Sequence, residues 1–232
     1  VSTHALNIFG DHSDVMACRQ TGFAMLCEGN VQEVMDLSPV AHLAALTGKV
    51  PFINFFDGFR TSHEIQKIAV WDYKDLAEMC DMDAVKAFRE HALNPEHPHM
   101  RGSHENGDTF FQHREACNQY YDALPEVVES YMDKINAKLG TDYKLFNYYG
   151  APDADRVIIA MGSICDVAEE VIDYLNAHGE KVGLIKVRLY RPFKAERLIE
   201  AIPATCKKIA VLDRTKEPGA QGEPLYLDVV TA

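Results

Sequence analysis

The feature that most constrains this chain is a regular alternation of strand-like and helical segments in its last third. Apolar runs at 156–161, 181–190 and 208–212 have the length of buried strands. Helical periodicity separates them, first after Asp166, which is expected to cap a helix, and then over 194–202. Strands that alternate with helices through short links predict a parallel sheet with right-handed crossovers. We therefore expect an α/β fold.

The first third of the chain carries half of the same repeat. Asn30 followed by Glu33 fits a helix N-cap with its capping partner, and Gly48 offers an end to that helix. The run 50–56 is apolar, short and bounded by turn residues, which predicts a buried strand. Pro39 lies within the predicted helix and is expected to kink or restart it.

The middle of the chain, 82–140, has a different composition. Histidine, proline, glycine and asparagine are mixed without periodicity over 94–108, which predicts a surface excursion. An amphipathic helix follows, with Pro125 expected near its first turn and Gly140 as its end. We interpret this region as a connector.

Charge and cysteine usage exclude several classes of protein. The 35 acidic residues outnumber the 23 basic ones, and a net charge of -12 opposes nucleic-acid binding. No apolar run approaches the roughly 20 residues of a membrane span, and no export leader is visible at the start, so a cytoplasmic location is expected. The six cysteines include no C-x-x-C pair, so the sequence contains the motif of neither a zinc knuckle nor an iron–sulfur site. No metal ligand is predicted.

Two constellations have a functional and a structural interpretation, of which the structural one is favoured. The turn 161–166 stands where doubly wound sheets bind phosphates, but its one glycine, Gly162, suits the turn itself. A histidine-rich stretch could ligate a metal through imidazoles and carboxylates, yet its loop-like surroundings favour solvated side chains. The residues of this stretch are His97, His99 and His104 with Glu96 and Glu105.

Two charged loops leave the choice more open. The loop 57–64 follows a buried strand, where α/β active sites form, and it is equally consistent with a salt-bridged turn. The loop 213–219 follows the last predicted strand, and Arg214 and Lys216 could bind an anion there. Charges that compensate one another within the loop are the more common arrangement.

Several longer strings resemble pyruvate:ferredoxin (flavodoxin) oxidoreductases. They occur in the order found in that family and are spread over nearly the whole chain, which makes a chance match very improbable. Ser38-Pro39 and Gln221 depart from the family pattern without touching an expected catalytic role. The strings are 6–12, 19–25, 56–67, 94–99, 186–193 and 212–219.

The resemblance implies a fold and a domain division. Residues 1–140 would be the later half of a pyrimidine-type thiamine-diphosphate-binding domain with a helical connector. Residues 141–232 would be a parallel α/β domain like the C-terminal domain of transketolases. The whole would be a cytoplasmic homodimer that converts pyruvate and coenzyme A into acetyl-CoA and carbon dioxide. It would use thiamine diphosphate, magnesium and [4Fe-4S] clusters, and pass electrons to ferredoxin or flavodoxin.

The same resemblance implies which residues this stretch contributes. The family's catalytic, cofactor-binding and cluster-binding residues would lie before Val1 or after Ala232, so the stretch alone is expected to be inactive. Leu6 and Ile8 are the residues we expect in the substrate pocket, as apolar neighbours of pyruvate. Two alternatives stay open. One is another 2-oxoacid:ferredoxin oxidoreductase, and the other is a non-catalytic module that binds a nucleotide or coenzyme A at Ser163 or at Arg214 and Lys216.

Overall fold

A computed structural model describes residues 5, 7–100, 102 and 104–232. Strands and helices alternate along most of this part of the chain, as predicted for an α/β protein. The strands are β1 (Ala24–Glu28), β2 (Phe52–Phe56), β3 (Phe146–Gly150), β4 (Arg156–Ala160), β5 (Val182–Val187), β6 (Leu189–Arg191) and β7 (Lys208–Val211). The helices are α1 (Ser13–Ala17), α2 (Val31–Gly48), α3 (Tyr73–Met79), α4 (Met82–Glu90), α5 (Phe110–Ala116), α6 (Asn118–Leu139), α7 (Ile164–Ala177), α8 (Ala195–Ala201) and α9 (Pro224–Thr231).

The strands form two sheets. In the first, the order is β2-β1-β6, with β1 parallel to β2 and antiparallel to β6. In the second, the order is β3-β5-β4-β7, with β4 parallel to both β5 and β7. The parallel arrangement predicted for β4, β5 and β7 is confirmed. The antiparallel edge strand β3 was not predicted, because its aromatic sequence, which ends in a single glycine, gives no clear period.

One predicted strand is in fact two. The run 181–190 was predicted to be a single strand, but the chain leaves the second sheet after Val187 and pairs with β1 of the first sheet from Leu189. Arg188 lies at this junction, is buried, and donates to Glu33 Oε1 at 2.7 Å. Its carbonyl oxygen accepts from the Cys27 N–H at 2.8 Å. The Cys27–Arg188 bond ties this junction to β1 through the backbone, and the Arg188–Glu33 bond ties it to α2 through side chains.

Helix α2 begins where the sequence predicts. The side chain of Asn30 accepts a hydrogen bond from the Glu33 N–H at 3.0 Å, which is the predicted N-cap. The helix ends at Gly48, but the left-handed residue that follows is Lys49, with φ 56°. Pro39 does not restart the helix, which runs unbroken from Val31 to Gly48.

The middle region contributes more to the core than a connector would. Helix α6 begins at Asn118, so Pro125 lies in its interior. The prediction that Pro125 stands near the first turn is wrong. Its buried side chains pack into a core cluster that also takes in β1, α2 and β5. The predicted surface excursion is confirmed, because the described residues between His91 and Thr109 are exposed. The division of the chain at residue 140 stays a prediction.

Helix α7 starts earlier than predicted. Its N-cap is Ser163, with no side-chain capping bond, whereas Asp166 lies within the first turn. Asp166 is drawn away from a capping role because its Oδ2 accepts from Asn30 Nδ2 at 3.0 Å. Within the described part of the chain, no helix combines the length and apolar character needed to cross a membrane.

Candidate functional site

The carboxyl ends of strands from both sheets meet at one buried carboxylate, Asp57. This residue follows β2, and its side chain is fully buried. The turn after β4 supplies Ser163, and the loop after β7 supplies Arg214. Because parallel strands bring their carboxyl ends to one edge, loops that lie far apart in sequence come together at this point.

Each oxygen of Asp57 is held by a different set of donors. Oδ1 lies 2.5 Å from His12 Nε2. Oδ2 accepts from the Ser163 backbone N–H at 2.7 Å and from Arg214 Nη1 at 2.8 Å. Arg214 Nη1 also donates to Ser163 Oγ at 2.7 Å. A carboxylate with this many charged and polar partners is satisfied despite its burial.

The partners of Asp57 decide its charge. Burial on its own raises the pKa of Asp57, but the hydrogen bonds from His12 and Ser163 outweigh it and hold the pKa below its usual range. Asp57 is therefore ionised at neutral pH.

Two glycines allow the close approach of these groups. A Cβ on Gly162, where φ is 82°, would lie 2.7 Å from Asp57 Oδ2. A Cβ on Gly10, where φ is 98°, would lie 2.5 Å from Arg214 Nε. Any other residue would be strained at both positions and would also push the ion pair apart. The predicted role of Gly162 in the turn itself is thus confirmed.

A cavity of about 550 Å³ opens beside this cluster. Ile8, which the resemblance placed in a substrate pocket, lies on its wall, while Leu6 lies outside the described residues. Aromatic rings form much of the remaining wall, and Phe59 packs edge-to-face on Phe9 with centroids 4.6 Å apart. The lining residues at the polar end include His12, Asp57, Asp11, Asp14 and His63.

A second buried carboxylate, Glu28, ends the neighbouring strand β1. Neither of its oxygens has a hydrogen-bond partner among the described residues, and the nearby Asn54 Oδ1 has none either. Burial, reinforced by the charge of Glu33, raises the pKa of Glu28 to about 9. Glu28 is therefore neutral at pH 7.

The other charged groups predicted from sequence either form ion pairs of their own or lie in the exposed middle region, away from Asp57. Lys216 pairs with Glu223 at 2.9 Å and Arg214 pairs with Asp57 at 2.8 Å. Both partners lie outside the loop 213–219, so the prediction that its charges compensate one another within the loop is wrong. His113 Nδ1 contacts Glu105 Oε1 at 2.7 Å in the exposed middle region. Among the described residues, no group of three or more histidine, cysteine or acidic side chains is placed to hold a metal ion.

Sequence reasoning singled out three of the site's four polar residues, at Asp57, Ser163 and Arg214, but not their contact. It missed His12, which stands in an irregular segment that carries no periodic signal. Its position in the string 6–12, directly before a short helix, was the one available indication. It also missed Glu28, because an acid at the end of an apolar run usually marks the start of a loop.

Comparison with protein-family models gives two matches. Residues 1–133 match "Pyruvate flavodoxin/ferredoxin oxidoreductase, thiamine diP-bdg", and residues 154–232 match "Pyruvate:ferredoxin oxidoreductase core domain II".

Curated relatives are similar over the whole chain. It is 63% identical over 231 residues to the pyruvate:ferredoxin oxidoreductase of Moorella thermoacetica, and 62% identical over 232 residues to the pyruvate-flavodoxin oxidoreductase of Enterobacter agglomerans. Each match covers 100% of this chain and 20% of the relative, so the chain spans about a fifth of their length.

A solved structure shares the fold. It is a 2-oxoglutarate:ferredoxin oxidoreductase from Magnetococcus marinus with 2-oxoglutarate, coenzyme A and succinyl-CoA bound. The TM-score is 0.55 at 20% identity, and the match covers 91% of this chain and 39% of that one. This likeness supports the α/β architecture alone.

Proposed function

This chain belongs to the pyruvate flavodoxin/ferredoxin oxidoreductase family, and we propose that it forms part of an enzyme that oxidatively decarboxylates pyruvate to acetyl-CoA and carbon dioxide. Ferredoxin or flavodoxin would accept the electrons. The observation that carries this proposal is the 63% identity to a pyruvate:ferredoxin oxidoreductase over 100% of the chain. A sister enzyme for another 2-oxoacid is the alternative, and the 20% identity to the 2-oxoglutarate enzyme makes it the weaker one.

The proposed division of labour follows the two sheets except at β6, which joins the first sheet from the second part of the chain. Residues 1–140 would contribute to the thiamine domain, and 141–232 would form the transketolase-like domain that packs against it. Ile8 on the wall of the cavity supports the proposed pyruvate pocket, with Leu6 as its proposed neighbour. Thiamine diphosphate supplies the electron sink for decarboxylation when it is bound.

The described residues fit the charged parts of the proposed cofactors poorly. Arg214 and Lys216 are paired with Asp57 and Glu223, so they are not free to hold a diphosphate or the phosphates of coenzyme A. No metal-binding group of side chains is present among them either. The sites for magnesium, for [4Fe-4S] clusters and for the phosphates of coenzyme A are therefore proposed for the rest of the enzyme and not for these residues. The same pairing weighs against a free-standing nucleotide-binding module.

The partners and location are proposed on the same basis. The relatives' names support ferredoxin or flavodoxin as the redox partner, and a homodimer in the cytoplasm is the arrangement that we propose for the enzyme. The rest of the same polypeptide would be its closest contact.

Kinetics of the full-length enzyme would test this function. We expect reduction of ferredoxin that depends on both pyruvate and coenzyme A, with much lower kcat/KM for 2-oxoglutarate. A preference for 2-oxoglutarate would favour the sister enzyme, and no turnover of either acid would contradict the proposal.

A substitution tests the pyruvate pocket separately. Ile8→Ala removes apolar contact at the cavity wall and should raise the KM for pyruvate about tenfold, the value of one or two methylenes in a substrate pocket. Ile65→Ala is the matched control, because Ile65 is fully exposed. An unchanged KM in Ile8→Ala would contradict the pocket assignment.

A further inference from the structure

The two ring nitrogens of His12 have different surroundings. His12 is 6% exposed, and its Nε2 is taken up by Asp57 Oδ1. Its Nδ1 forms no hydrogen bond with any described residue, yet it is not among the fully buried polar atoms that lack a partner. Nδ1 is therefore not fully buried, and His12 lines the cavity of about 550 Å³.

The carboxylate fixes which nitrogen carries the proton. An ionised Asp57 can only accept, so His12 Nε2 must donate to it. In the uncharged tautomer with its proton on Nε2, the imidazole carries its lone pair on Nδ1. Phe55 stands at an interplanar angle of 83° to the imidazole, and the space beside Gly162 is filled by the ring edge, so the ring is held from both sides.

The imidazole shares its cavity with apolar side chains, Ile8 and Phe55 among them. A base in such a place gains strength from an oriented carboxylate behind it, which stabilises the imidazolium as it forms.

We propose that His12 is a proton-accepting residue of this cavity, with Nδ1 as the working atom and Asp57 as the positioning residue. This rests on the proposed function, in which coenzyme A loses its thiol proton when the acyl–sulfur bond forms. His12 Nδ1 takes the proton from an S–H or O–H group of the substrate, and the bonding electron pair stays on sulfur or oxygen. The imidazolium is neutralised by Asp57 and later releases the proton to water.

Two substitutions in the full-length enzyme separate this role from a structural one. His12→Gln keeps an N–H group at the Nε2 position, so the bond to Asp57 persists while the base is lost. His12→Asn places an amide near the Nδ1 position, which can hydrogen-bond but cannot accept a proton. With pyruvate and coenzyme A as substrates, we expect kcat to fall about 100-fold in both variants, with KM changed less than about threefold. Near wild-type kcat in either variant would overturn the proposal.

Labelling with diethylpyrocarbonate, which acylates accessible imidazole nitrogens, gives a readout that needs neither activity nor a substituted protein. In the wild-type full-length enzyme, peptide mapping should find His12 acylated, because Nδ1 opens to the cavity. An unlabelled His12 would overturn the proposal even if the variants failed to fold. A wild-type enzyme that does not turn over pyruvate would sink the proposed function instead, and the labelling result would still decide whether Nδ1 is available.

Discussion

Asp57 and Glu28 are two buried carboxyl groups at the ends of adjacent parallel strands, and they differ in their hydrogen-bond partners. Glu28 lies opposite Phe56 in the strand register, one residue before Asp57. Asp57 receives hydrogen bonds from His12, Ser163 and Arg214, whereas Glu28 receives none from the described residues. Both side chains are buried, so the hydrogen bonds and charges around them decide that Asp57 is charged and Glu28 neutral.

The difference shows that only one of the two carboxyl groups, Asp57, links parts of the fold through its charge. Partners for Asp57 come from the loops after β4 and β7, so its charge links the two sheets beside the cavity. Glu28 faces α2, because Asn54, on the same face of the sheet, donates to Ser38 of that helix at 2.8 Å. A neutral acid there adds no link between the sheets and costs stability as pH rises.

The largest effect is expected from removing the satisfied carboxylate. Asp57→Ala leaves Arg214 and His12 without their acceptor in a buried setting, and should lower the free energy of unfolding by about 3 kcal/mol at pH 7. Urea denaturation would measure it. The contribution of Asp57 is present above the unfolded-state pKa of 3.8 and is lost as pH falls below it, so the two proteins should converge in acid. A constant difference at all pH values would contradict the ionised state.

Replacing the carboxyl group of Glu28, which has no hydrogen-bond partner among the described residues, should raise the free energy of unfolding. The folded-state pKa of Glu28 is about 9, against 4.5 for the ordinary side chain, so its contribution is present below pH 4.5 and is lost as pH rises toward 9. Glu28→Gln should therefore stabilise the protein by roughly 3 kcal/mol at pH 7 and by little at pH 4.

The matched control for that substitution is Glu78→Gln. Glu78 is exposed and lies 4.0 Å from Lys74, so its change should stay below about 0.5 kcal/mol at either pH. Denaturation curves at both pH values would measure the two variants, and a gain from Glu28→Gln that does not vary with pH would show that Glu28 is ionised in the folded state.

A glycine pair isolates the crowding around Asp57. Gly162→Ala should cost about 2–3 kcal/mol, because its φ is positive and its Cβ would lie 2.7 Å from Asp57 Oδ2. Gly179→Ala has a similar φ of 89° with no atom within 4 Å, so it should cost only about 1 kcal/mol of backbone strain. Equal losses in thermal or urea unfolding would mean that the approach to Asp57 is looser than described.

The smallest effect belongs to the hydroxyl that supports Arg214. Ser163→Ala removes the acceptor at 2.7 Å from Nη1 but keeps the backbone N–H to Asp57, and should cost about 1 kcal/mol. Ser130→Ala removes an exposed hydroxyl bonded within its own helix, and should change stability by less than about 0.5 kcal/mol. A loss in Ser163→Ala as large as in Asp57→Ala would mean that the hydroxyl, and not the carboxylate, holds the loops together.

Local signals in the sequence account for much of the fold. The Asn30 cap, the presence of a strand before Asp57 and the alternation after residue 150 were predictable because each depends on neighbours in sequence. The predicted burial of that strand is wrong, because β2 is the edge strand of its sheet and its residues are half-buried or exposed. The split of the 181–190 run was not, because it depends on Glu33, more than 150 residues away, bonding to Arg188. The start of α6 was missed because Pro125 suggests a helix beginning, while tertiary packing carries the helix through it.

The candidate site was predictable only as separate parts. Loops that follow parallel strands are expected to meet, which marked Asp57, Ser163 and Arg214 without pairing them. The pairing of each donor with one oxygen of Asp57 depends on side-chain geometry between two sheets. Such geometry cannot be predicted from a single sequence. The unsatisfied state of Glu28 is likewise a property of what surrounds it and not of its place in the chain.

Isotope-edited infrared spectroscopy would test the central claim that these two neighbouring carboxyl groups carry opposite charge states. Difference spectra at pH 7 between the wild-type protein and Glu28→Gln should contain the C=O stretch of a neutral carboxylic acid. The same comparison with Asp57→Asn should contain the paired bands of an ionised carboxylate and no acid band. Carboxylate bands from Glu28, or an acid band from Asp57, would contradict the account.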